Sequence, residues 1–260
     1  MKRHNEQHKT RLARSVCSTV TIALLLLAGG VSAAPTSGEP AGTQHAGDPH
    51  YTPAGFFDIH VCNWPDRKLF FMSLFSTTRY REIKSIEVRM PDGGTLTNIG
   101  LAKYRLVKTK DKPEKHVFMT QTDVPDGAPD GWYSATVTLT DGTQIMARDY
   151  VVVARLPRPS GLNPPDGAEQ IPTPEKLTWS PVDQAGWYQV YILDNWNDGK
   201  VIYTSKLLRE PVLVLPPGLL QADGLYTWKV HARDINEDKQ LGDFNKGSMS
   251  SVSTFSTAAQ

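Results

Sequence analysis

Between Leu213 and Ala232 the chain reads L-V-L-P-P-G-L-L-Q-A-D-G-L-Y-T-W-K-V-H-A, and in its second half apolar and polar positions alternate with a period of two. Tyr226, Trp228, Val230 and Ala232 share one parity, while Thr227, Lys229, His231 and Arg233 take the other. That alternation predicts a strand with one buried and one solvated face, as in antiparallel sheet. Pro216, Pro217 and Gly218 end a preceding strand, because proline cannot donate to a ladder, and Asp223-Gly224 supplies the turn back into the sheet. One strand, a corner and a second strand are therefore expected, packed sheet against sheet.

The same punctuation recurs from Phe56 onward. Short β-prone runs at Phe56–Cys62, Leu69–Thr77, Lys84–Met90, Tyr104–Lys108, His116–Thr122, Trp132–Leu139 and Gln144–Val153 are separated by turn signals such as Pro91-Asp92-Gly93-Gly94 and Asp141-Gly142. About seven strands in about 100 residues match an immunoglobulin-like sandwich. No helical period is sustained in this half. A short repeat links the two halves: Asp130-Gly131-Trp132-Tyr133 echoes Asp223-Gly224-Leu225-Tyr226, each followed by an alternating strand. Tyr133 and Tyr226 both occupy the place of a tyrosine corner, whose hydroxyl bonds the backbone upstream while its ring enters the core. D-G-x-Y is also a common way to enter a strand, so the repeat by itself carries limited weight.

Six prolines between Leu156 and Pro174 read as a stiff connector, which places a boundary near Arg158. Beyond it come L-N-P-P-D-G-A, L-T-W-S-P-V from Leu177, W-Y-Q-V-Y-I from Trp187, V-L-P-P-G-L from Val214, Y-T-W-K-V-H-A from Tyr226 and S-T-F-S-T from Ser253. In order and spacing these resemble a fibronectin type III domain of the bacterial kind across roughly 160–257. The resemblance implies an inward Trp179, a core face of Tyr188, Val190 and Ile192, and a corner tyrosine at Tyr226. It departs from the family's pattern in the long segment from Asp234 to Gly247, which holds no Arg-Gly-Asp. Such domains are spacers or binding modules, so the resemblance implies architecture and not an activity. The expected fold is all-β: two tandem antiparallel β-sandwiches, immunoglobulin-like at 55–157 and fibronectin type III-like at 158–260.

The N-terminus changes the picture of where the protein works. Five bases precede an apolar run from Val20 to Ala28 and small residues through Ala33, the order of a signal peptide over 1–33 cleaved before Ala34. The run is shorter than the roughly 20 apolar residues that span a bilayer. Export to the periplasm or the extracellular space is expected, with no stable membrane span. Residues 34–54 read as a flexible linker, and His45 and His50 within it are assigned no role. The whole chain is formally +1, but removing residues 1–33 leaves 23 bases and 26 acids, near −3. No basic stripe remains to track a phosphate backbone, so nucleic acid is not an expected partner.

Candidate chemistry is sparse. Asp58, His60 and Cys62 alternate on one strand and share a face, within reach of a metal ion or of one another, or as a thiol beside a base. Packing is the competing role, since free cysteine is among the most buried residue types. Cys62 is also the only cysteine after residue 33, which leaves no intramolecular disulfide. The acidic turns Asp123/Asp126/Asp130 and Asp194/Asn197/Asp198 supply calcium-type oxygens but match no calcium-loop template. No catalytic motif or phosphate loop occurs, and no cofactor is expected. Trp187, of parity opposite to Tyr188, and Trp196, in a turn, are the candidate contact residues, because exposed tryptophan anchors partners or stacks on sugars. A non-catalytic binding or scaffolding protein for a protein or polysaccharide of the cell envelope is the expected function. The alternative is a metal-handling or thiol-dependent protein using Asp58, His60 and Cys62.

Overall fold

A computed structural model describes residues 47–108, 110, 112–235 and 244–259. The expected signal peptide and His45 lie outside the described residues. Strands dominate, and the only helices among the described residues are two single 3-10 turns, at Tyr80–Glu82 and Asn195–Asn197.

The first half holds β1 (Tyr51–Thr52), β2 (Gly55–Asn63), β3 (Phe70–Thr77), β4 (Ile83–Arg89), β5 (Thr95–Asn98), β6 (Tyr104–Val107), β7 (Lys115–Asp123), β8 (Gly131–Leu139) and β9 (Gln144–Val151). One sheet runs β2-β3-β7-β6 and the facing one β5-β4-β8-β9. Between them pack Phe57, Ile59, Val61, Phe71 and Phe75 from one side and Ile86, Val88, Tyr133, Ala135 and Val137 from the other. All seven expected runs are strands, with ends displaced by no more than two residues.

The second half holds β10 (Ala168–Ile171), β11 (Lys176–Thr178), β12 (Trp187–Asp194), β13 (Lys200–Thr204), β14 (Val212–Val214), β15 (Leu225–Arg233), β16 (Lys246–Met249) and β17 (Ser253–Thr257). β12, β13, β15, β16, β17 and β10 form one layer and the β11-β14 pair the other. Trp179, Tyr188, Val190, Ile192, Tyr226, Trp228 and Val230 fill the space between. Trp228 has no exposed surface, and its indole N–H donates to the Pro164 carbonyl at 3.3 Å, so a large ring is buried without an orphaned donor. Both tyrosine corners form: Tyr133 donates its hydroxyl to the Pro129 carbonyl at 2.9 Å, and the Tyr226 hydroxyl accepts from Gln221 N at 2.8 Å. Tandem antiparallel sandwiches of immunoglobulin-like type are thus the fold.

The sandwiches are not beads on a string. β16 pairs in parallel with β2, matching Lys246 to Val61, Gly247 to Cys62 and Ser248 to Asn63, so one 11-stranded sheet runs through both halves. Two expectations are overturned. The polar parity of β15 is not wet along its length: His231 and Arg233 are buried at the end where β16 joins β15 to β2, while Thr227 and Lys229 stay partly exposed. Nor is the linker loose up to residue 54. β1 pairs with β2, Ala54 is buried in the first core, and His50 is held between Asp48 (2.7 Å) and Asp149 (3.1 Å).

Candidate functional site: a buried polar seam and an exposed aromatic face

Successive residues of β2 point to opposite sides. Phe57, Ile59 and Val61 enter the first core, which sends Asp58, His60 and Cys62 to the back of the sheet, as expected of one parity. The second sandwich covers that back, so all three are 6% exposed or less. His60 Nδ1 and Asp58 Oδ2 are 2.9 Å apart, and the His60 ring lies 4.0 Å from Phe244. Cys62 packs instead in an apolar cluster with Trp64, Phe70, Met72, Tyr191 and Met249, which draws on both sandwiches. Among the described residues no group of three or more His, Cys, Asp or Glu side chains is placed to hold a metal ion. All three side chains lie where the two sandwiches meet.

From the other side of the seam Arg233 reaches Gln189 Oε1 at 2.8 Å, lies over Phe244 at 4.8 Å, and brings its Nε–H to 3.4 Å from His231 Nδ1. Gln189 also accepts the Tyr191 hydroxyl at 2.9 Å and donates to the Ser205 carbonyl. A buried guanidinium is costly unless its donors are satisfied, and here oxygen, nitrogen and a ring face surround it. Burial lowers its pKa, while Tyr191, Asp58 and Cys62 act to hold it charged. His231 is pushed well below the ordinary histidine range, first by burial and then by Arg233, His60 and Lys229. With Nδ1 accepting, the proton of the neutral ring sits on Nε2, packed against Gly247, where a Cβ would come within 2.7 Å. Backbone contacts complete the seam: Asn63 Nδ2 donates to the Leu156 carbonyl and Ser248 Oγ to that of Pro157, clamping the connector.

The two candidate tryptophans do not come together. They flank the two ends of β12, and the seven steps from Trp187 to Asp194 span roughly 23 Å at about 3.3 Å each. Trp187 is half-buried with the Arg209 guanidinium 3.5 Å from its ring centroid. Trp196 is 72% exposed on a 3-10 turn capped by Asp194, which explains that acidic turn without a cation. Likewise Asp130 accepts Val153 N at 2.6 Å.

A further exposed surface lies on the outside of the β5-β4-β8-β9 sheet. Trp132 on β8 stands opposite Tyr150 on β9 in register, their rings 5.4 Å apart and edge to face. They are 46% and 45% exposed, with the Arg148 guanidinium 5.6 Å over Trp132 and exposed Met146 further along β9. The rest of that face is small or polar: Ser134, Thr136 and Thr138, with Glu87 and Arg89 on β4. Parity could have found it, since Met146, Arg148 and Tyr150 alternate against buried Ala147, Asp149 and Val151. A shallow open depression of about 420 Å³ lies nearby, lined by Lys68, Leu69, Val124, Pro125, Asp126 and their neighbours.

No protein-family model matches the chain, and no curated protein does. Solved structures similar to it include tandem domains of titin (16% identity, TM-score 0.26, 76% of this chain and 65% of that one). Others are latent PorU from Porphyromonas gingivalis (13%, 0.26, 86% and 22%) and murine CEACAM1b (10%, 0.23, 76% and 98%). The chain thus spans about two thirds of the titin fragment and about a fifth of PorU. No helix among the described residues is long and apolar enough to cross a membrane.

Proposed function

We propose that this is an exported, non-catalytic binding protein whose second sandwich is fibronectin type III-like, and which engages a protein of the cell envelope through the outer face of its first sandwich. The observation that carries the reading is the Trp132–Tyr150–Arg148 patch. Tryptophan, tyrosine and arginine are the three residue types most enriched among interface hot spots, and here they meet on one exposed sheet face. The edge-to-face geometry of the two rings favours a protein over a polysaccharide, because it offers no flat ledge for successive sugar rings. Export is supported by the order of basic, apolar and small residues over 1–33.

The test is photo-crosslinking from position 146 in intact cells, comparing the wild-type chain with Trp132→Ala/Tyr150→Ala. The double variant should keep its melting temperature, since both rings are half exposed, yet lose at least about 30-fold in affinity for the crosslinked partner, the equivalent of 2 kcal/mol. Undiminished crosslinks in the variant would reject the reading. Retention on insoluble envelope polysaccharide, lost in the variant, would replace the protein partner with a sugar.

A further inference from the structure

A second surface, independent of that patch, lies at the free end of the long sheet. β6 is the terminal strand: β7 pairs with it on one side, and among the described residues no strand pairs on the other. Its register with β7 runs unshifted from Tyr104↔Phe118 to Val107↔Lys115, so its outer row of N–H and C=O groups is regular. Two other edges are blunted. β9 is tied by bonds from Arg148 N to the Pro49 carbonyl and from Asn245 to the Tyr150 carbonyl, and the pairing of β13 slips between Ile192 and Leu193.

Inside β6, Tyr104 and Leu106 are 53% and 39% exposed, and the one cation within the strand, Arg105, is half-buried. The Tyr104 ring is held 4.2 Å from His116, which stacks on Tyr80 at 3.5 Å. Charge gathers around the strand. Residues 103–116 carry six Lys or Arg against Asp111 and Glu114, a local excess of four, in a chain whose remainder after residue 33 is acidic. Glu114 is engaged by Lys108 at 2.7 Å, and Lys103, Lys110, Lys112 and Lys115 are exposed. These lysines crowd beyond the ends of the strand and leave the apolar pair open.

We propose that β6 accepts an extended acidic peptide segment of a protein partner as an added strand. The peptide backbone pairs with the outer edge of β6, its apolar side chains lie over Tyr104 and Leu106, and its carboxylates meet the flanking lysines. Both backbone and charge are needed, and the experiment separates them. A fluorescent ten-residue peptide alternating Glu and Val is titrated against the full chain, beside the same sequence N-methylated at every residue, which keeps the charge and removes every backbone donor. The unmodified peptide should bind, weaken at least about tenfold between low salt and 0.3 M salt as screening shortens to a few ångströms, and exceed the N-methylated peptide at least about tenfold. Lys108→Glu/Lys110→Glu/Lys112→Glu, all exposed positions, should abolish binding without moving the melting temperature, and Trp132→Ala/Tyr150→Ala should leave it unchanged. Equal binding of the two peptides, or full binding by the triple variant, overturns the proposal. Preferential binding of dextran sulfate with no peptide selectivity also overturns it, in favour of an anionic polysaccharide.

Discussion

Asn245 accepts the Val152 amide on its side-chain oxygen at 2.9 Å, a bond that ties the return strand of the second sandwich to the end of the first. The same side chain donates to the Tyr150 carbonyl at 3.1 Å, while Asp234 Oδ1 accepts the Asn245 and Lys246 amides behind it. One residue thus satisfies a donor and an acceptor on the other sandwich.

Asn245→Ala should therefore cost about 1 kcal/mol, the net worth of hydrogen bonds that water can partly replace. Gly247→Val should cost about 1–3 kcal/mol by overpacking, since a Cβ there meets His231 Nε2 and the Phe244 ring at 2.7 Å. Urea titration reads both. A wild-type midpoint for Gly247→Val would mean that the seam is looser than these distances state.

Stability should fall as the medium becomes acidic through His231. Its folded pKa lies below the unfolded value of 6.5, so the unfolded ring takes up a proton that the folded ring, facing Arg233, His60 and Lys229, refuses. The contribution is whole above pH 6.5 and declines below it, by up to about 1.4 kcal/mol per pH unit. His231→Gln should flatten the slope of unfolding free energy between pH 6.5 and 4.5 whatever its absolute stability. An unchanged slope would sink the assignment.

The alkaline side belongs to Tyr133. Burial, then Asp130 and Asp92, push its phenol up to about 12 from an ordinary 10.0. Its contribution is present in full below pH 10 and is lost as pH rises toward 12. Tyr133→Phe should cost about 1 kcal/mol at neutral pH, the net worth of its bond to Pro129, and remove that alkaline loss. Ultraviolet titration showing this phenol ionising at pH 10 would contradict it.

Trp228→Ala and Trp179→Ala should each cost about 3–5 kcal/mol as deletions of buried large aromatics. Trp196→Ala should cost less than about 0.5 kcal/mol, as befits an exposed turn. Equal losses at the three positions would contradict the burial described.

Strand positions and core faces were legible because parity is local: Tyr226, Trp228 and Val230 share a side wherever the strand lies. Coverage is not local. Nothing within β15 tells that its far end pairs with β16 and so joins the sheet of the first sandwich, and His231 and Arg233 read as wet when they are buried. A signal did exist elsewhere in the same sheet, on β3. Phe70, Phe71, Met72, Leu74 and Phe75 are apolar in both parities, which only a strand covered on both faces supports. For the same reason the burial of Asp58, His60 and Cys62 was not legible in β2 alone.

The parallel join of β16 to β2 brings together residues 185 positions apart, Val61 and Lys246. During synthesis the first sandwich can pair its own strands long before β16 emerges, and until then the back of β2, with a thiol, an imidazole and a carboxylate, faces water. The chain therefore stays incomplete until almost its final strand arrives, and a product halted before residue 246 would present that unfinished edge and face to chaperones and proteases.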